Sequence, residues 1–103
     1  MKSKPGNGDS SPTLLLIDDD AELCALMVTF FSEHGFRLES VYDGRRGLAR
    51  AIEGRFDLIL LDVMLPGLDG FEVLHQLRRH SSVPVIMLTA RTEQSDRIHG
   101  LNA

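Results

Sequence analysis

Residues 56–70 read FDLILLDVMLPGLDG. Leu58 to Leu61 is an unbroken apolar run, and a short run bounded by turn residues reads as a strand buried on both faces, typical of a parallel sheet. Asp62 follows directly, so a strand that shuns water delivers a carboxylate to its C-terminal end, the edge at which open α/β sheets hold their ligands. Pro66, Gly67, Asp69 and Gly70 make a turn, with Asp69 placed to cap a helix beginning near Phe71. Taken alone, the stretch fits a solvent-facing, strand-ending Asp equally well.

Working outward, Thr13 to Ile17 (TLLLI) is a second continuous apolar run, and it ends in three acids, Asp18, Asp19 and Asp20. Leu23, Met27, Phe30 and Phe31 recur at intervals of three and four, and Gly35 supplies a stop, which predicts a helix over about Ala21 to His34. Phe36 to Val41 reads as another strand. Tyr42, Asp43 and Gly44 then turn into a short helix containing Leu48 and Ile52, ended by Gly54. Phe71, Leu74 and Leu77 give a third helix an apolar face, with Arg78, Arg79 and His80 suiting its C-terminal dipole. Val83 to Leu88 (VPVIML) is a fourth apolar strand whose Pro84 is tolerable only near the start. Thr89 follows it, and Asp96 to Leu101 resembles the start of one more helix. Alternating strands and helices predict a doubly wound parallel α/β sheet with helices on both faces.

The chain has 103 residues, 43% hydrophobic and 25% charged, which suits one globular domain with one core. Met1 to Pro12, rich in Gly, Ser and Pro, has too little apolar content to offset its ordering entropy, so residues 1–12 are expected to be a disordered leader and 13–103 the domain. No apolar run approaches the roughly 18 residues of a membrane span, and the N-terminus lacks an apolar signal core; the expectation is a cytoplasmic protein. A lone cysteine, Cys24, fits a reducing compartment and reads as a helix-borne core residue. A net charge of −4 without a basic stripe argues against direct nucleic-acid binding by this segment. His34, His75, His80 and His99 show no metal-ligand spacing, and Arg45, Arg46, Arg50 and Arg55 read as a solvated face.

In a parallel sheet with short crossovers, the C-terminal ends of neighbouring strands share one edge, so Asp18, Asp19, Asp62 and Thr89 converge. Clustered carboxylates repel one another, and a hard cation with oxygen ligands removes the conflict. Mg²⁺ suits a site giving one or two carboxylates beside water, a backbone carbonyl and a phosphate oxygen. Asp62 is then placed to act as a nucleophile toward phosphorus, forming an aspartyl phosphate to which the Thr89 hydroxyl donates a hydrogen bond.

These residues resemble the receiver domain of bacterial two-component response regulators. LLLIDDD is similar to the family's first strand and acidic pair, LLDVMLPGLDG to its phosphoacceptor strand and turn, and VPVIMLTA to the strand bearing the switch hydroxyl. The resemblance implies a flavodoxin-like sheet with strand order 2-1-3-4, the family's fifth strand and helix being missing. It also implies Asp62 as phosphoacceptor, Thr89 as switch hydroxyl, and Mg²⁺ held by Asp18, Asp19, Asp62 and the Met64 backbone carbonyl, with Asp19 the more direct ligand. Met64 and Arg91 would occupy variable positions flanking the site. A sensor histidine kinase would be the phosphoryl donor. DVMLPGLDGFEVLHQLR further resembles regulators of the OmpR/PhoB type, so DNA would be reached only through a C-terminal effector domain absent from this chain. Without a fifth strand, VIML would be an exposed sheet edge, open to a homodimer or a strand-exchanged dimer.

A haloacid dehalogenase-type phosphatase needs a second Asp two residues after its nucleophile, where this chain has Met64; the expectation is a regulator, not an enzyme. A nucleotide-binding domain needs a glycine-rich loop after the first strand, where this chain has three acids. The remaining alternative is a receiver-like interaction module that is never phosphorylated.

Overall fold

The structure, a computed structural model, describes residues 10–88. Most of the expected leader (residues 1–9), Thr89, Arg91 and the helix expected from Asp96 lie outside the described residues. Along the chain come β1 (Thr13–Ile17), α1 (Ala21–Glu33), β2 (Arg37–Val41), α2 (Gly44–Glu53), β3 (Leu58–Asp62), α3 (Gly70–Leu77) and β4 (Val85–Leu88). All pairings are parallel, and the order across the sheet is β2-β1-β3-β4, as expected. Ile17 pairs with Val41 on one side and Leu61 on the other, which brings the C-terminal ends of β1 and β3 level.

Strand alternation divides the core in two. Leu15, Ile17, Ile59 and Leu61 face α2 and α3, packing with Ala51, Val73 and Leu77. Leu16 and Leu60 face the opposite way and pack with Cys24, Met27 and Phe31 of α1. Burial on both faces explains why these strands read as continuous apolar runs. Each helix starts on an aspartate whose carboxylate accepts a backbone N–H of the first turn: Asp20 from Leu23 at 3.0 Å, Asp43 from Arg46 at 2.8 Å and Asp69 from Glu72 at 2.9 Å.

Three expectations need correction. β4 starts at Val85 instead of Val83, because Pro84 has no N–H to give the ladder; its carbonyl still accepts from Ile59 at 2.9 Å. Phe30 and Phe71, assigned to core stripes, are half-exposed, whereas Cys24 and Leu77 are buried as expected and Val73, left out of the α3 stripe, is buried with them. Arg50 is not merely solvated. Its guanidinium forms a two-pronged ion pair with Glu39 of β2 and lies 5.2 Å from the centroid of the Phe56 ring. The Glu39 carboxylate, as acceptor for that guanidinium, raises the Arg50 pKa above its ordinary value, and burial works in the other direction.

Candidate functional site

Two of the three acids in the run after β1 have separate tasks. Asp20 caps α1, and its N–H donates to Asp18 Oδ1 at 2.9 Å, tying the helix start to the first acid. Asp18 continues the ladder, its N–H donating to the Val41 carbonyl at 3.0 Å. One strand over, Asp62 closes β3, and its Oδ1 accepts the Met64 N–H at 3.1 Å. That contact turns the chain sharply at the strand end. The register does the rest: with Ile17 beside Leu61, the residues that follow each, Asp18 and Asp62, come together.

One carboxylate oxygen from each of Asp18, Asp19 and Asp62 lies within 4.8 Å of the others. Asp18 and Asp62 are each only 2% exposed, whereas Asp19 is open to solvent. The cluster is therefore a buried pair with one accessible member. Oxygen ligands of an octahedral Mg²⁺ at about 2.1 Å would lie about 3 to 4.2 Å apart, a separation compatible with three oxygens gathered within 4.8 Å. The donor set is all oxygen, which suits a hard cation and excludes a thiolate-type site. The nearby thiol does not join it. Cys24 is fully buried and its Sγ donates to the Asp18 carbonyl at 3.4 Å. Burial, and then the negative charges of Asp18, Asp20 and Asp19, push that thiol up to about 11, so it stays protonated and apolar at neutral pH.

A cavity of about 610 Å³ adjoins the cluster, bounded by Asp19, Met64, Pro66, Asp69 and Phe71. Asp18 and Asp62 do not line it, so the open approach is on the Asp19 side. Of the residues expected at the site, Asp18, Asp19 and Asp62 are brought together, and Met64 is joined to Asp62 through its amide. Thr89 and Arg91 lie outside the described residues. Phe71 is the residue that sequence reasoning missed. Its place one helical turn before Leu74 suggested core packing, and only the structure turns it toward the cavity.

A family model described as the response regulator receiver domain matches residues 14–103. The chain belongs to that family. Among relatives, this receiver is 42% identical over 87 residues to the uncharacterized transcriptional regulatory protein YclJ of Bacillus subtilis, covering 84% of the chain and 38% of that protein. It is 48% identical over 88 residues to the transcriptional regulatory protein CpxR homolog of Haemophilus influenzae, covering 85% of the chain and 38% of that protein. The chain thus spans about two fifths of the length of these relatives. Among solved structures, it is similar to the receiver domain of the sensor histidine kinase PA1611 of Pseudomonas aeruginosa, described with a magnesium ion coordinated in the active-site cleft. The TM-score is 0.76 at 32% identity, covering 86% of this chain and 75% of that one.

Proposed function

We propose that this receiver accepts a phosphoryl group on Asp62 from a sensor histidine kinase in a Mg²⁺-dependent transfer, and that the modified state controls a transcriptional output. The observation that carries the reading is the gathering of the Asp18, Asp19 and Asp62 carboxylates within 4.8 Å at the ends of two adjacent strands. Asp18, Asp19, Asp62 and the Met64 carbonyl would hold the metal. When bound, Mg²⁺ neutralises charge on the equatorial oxygens of the transferred group.

The chain's own residues supply nucleophile and position. The Met64 N–H donates to Asp62 Oδ1 and so orients the carboxylate that attacks. The new bond runs from an Asp62 carboxylate oxygen to phosphorus; the phosphorus–nitrogen bond to the donor imidazole breaks, and that nitrogen keeps the electron pair. No proton leaves Asp62, because a carboxylate attacks as the anion. By the resemblance to the family, Thr89 would donate its hydroxyl to the phosphoryl group.

The protein acts as a switch, not as an enzyme on a separate substrate, and the likeness to receiver domains supports work in the cytoplasm. The likeness to regulators of the OmpR/PhoB type supports DNA contact through a separate effector domain.

The test is labelling of the chain with a small acyl phosphate and Mg²⁺. Asp62→Asn is expected to abolish a label that is acid-stable and lost in mild base. Full labelling of that variant would remove Asp62 from the mechanism, and an unlabelled parent chain would favour an interaction module.

A further inference from the structure

Gly70 opens α3 at a point where nothing larger fits. A Cβ there would lie 2.2 Å from the Asp62 carbonyl oxygen and 2.8 Å from the Val63 Cα. Both neighbours are backbone, so no rotamer change relieves the clash. Gly44 opens α2 and meets the far end of the same loop, where a Cβ would lie 2.2 Å from the Leu68 carbonyl oxygen. Both glycines are buried. Residues 63–69 are thus gripped at each end by a helix start. Within the grip, the Gly70 N–H donates to the Val63 carbonyl at 3.0 Å and the Met64 N–H donates to Asp62 Oδ1 at 3.1 Å.

We propose that Gly44 and Gly70 are positioning residues of the acidic site: their lack of side chains lets two helix N-termini press on the loop backbone, fixing the loop that orients the Asp62 carboxylate. The inference rests on the reading of Asp62 and its metal given above, and adds what holds them in place. A glycine in the first turn of a helix carries a backbone-entropy cost, and here close approach gives it a reason. Gly47 provides the contrast. A Cβ there would lie 2.6 Å from Ile17 Cγ2, and its three nearest neighbours are all atoms of that core side chain on β1.

Gly70→Ala, Gly44→Ala and Gly47→Ala in the 103-residue chain separate positioning from packing. Each is followed by thermal melting, by Mg²⁺ titration of amide resonances and by the resonance position of the Met64 amide. Gly70→Ala is expected to weaken Mg²⁺ binding tenfold or more, and Gly44→Ala threefold or more, both with a displaced Met64 amide, at temperatures where the variants are folded. Gly47→Ala is expected to lower the melting temperature while holding Mg²⁺ affinity within twofold. A folded Gly70→Ala with parental affinity and an unmoved Met64 amide overturns the proposal, as does equal weakening by Gly47→Ala. Should the loop variants not fold, amide hydrogen exchange in the parent chain decides. Met64 and Gly70 amides exchanging as slowly as that of Val73 support a clamped loop, and exchange at open-loop rates overturns it. A parent chain that binds no Mg²⁺ defeats the metal reading alone, because the exchange rates still report on the clamp.

Discussion

The run Asp18-Asp19-Asp20 places identical side chains in different surroundings, and substituting two of them separates folding from metal binding. Asp20→Ala removes the α1 cap, a carboxylate accepting the Leu23 N–H at 3.0 Å. Loss of such a cap costs about 1 kcal/mol, and loss of a negative charge from the positive end of the helix adds about 0.5 kcal/mol. The sum, about 1.5 kcal/mol, lowers the melting temperature of a domain this size by about 8 °C. Mg²⁺ should not alter that loss, because Asp20 is outside the three-carboxylate group. Asp19→Ala behaves oppositely. Its side chain is exposed, so the metal-free stability changes by no more than about 0.5 kcal/mol. At a Mg²⁺ concentration 100 times the parent's Kd, binding stabilises the parent by about 2.7 kcal/mol, and a tenfold weaker site retains about 1.4 kcal/mol. Asp19→Ala therefore forfeits about half of the metal-induced gain. The assay is a pair of melts, in EDTA and in Mg²⁺, for the parent and both variants. A smaller Mg²⁺ gain in Asp20→Ala, or an undiminished gain in Asp19→Ala, would refute the division of labour.

The remaining expectations concern the core. Leu61→Ala, at a fully buried position facing α2 and α3, should cost about 3 to 4 kcal/mol by chemical denaturation, while Ile86→Ala at a half-exposed position of β4 should cost less than about 1.5 kcal/mol. Equal losses would contradict the assignment of β3 as the central buried strand. Cys24 should resist alkylation at pH 8 in the native state and react at once in denaturant, since burial and three neighbouring acids keep it a thiol. Rapid native labelling would show that α1 does not pack as described.

Much of this architecture was legible because its strands are buried on both sides. A strand flanked by helices on each face must be apolar at every position, so TLLLI and LILL announced themselves without alternation. Asp69 was legible as a cap because a polar residue before a helical stripe has few other tasks. The gathering of the acids followed from parallel topology together with family resemblance. What stayed hidden was relational. A repeat of three and four fits two neighbouring stripes of one helix, so Phe30 and Phe71 passed as core, whereas on α3 it is Val73 that joins Leu77 on the inner face. The tie between Arg50 and Glu39 joins a helix to a strand 11 positions away, and no local pattern encodes it.

The period-two geometry of β1 and β3 has a further consequence for how this gene product can change. Asp18 and Asp62 share the phase of Leu16 and Leu60, each two positions earlier along the chain. Inserting or deleting one codon within Leu58–Leu61 would exchange the inventory of the two cores and carry the acid to the opposite side of the sheet. A length change of that kind near residue 60 should abolish metal binding even if the chain still collapses, whereas substitution among Leu, Ile and Val there remains tolerable. Strand length, more than strand composition, is what keeps the carboxylates in company.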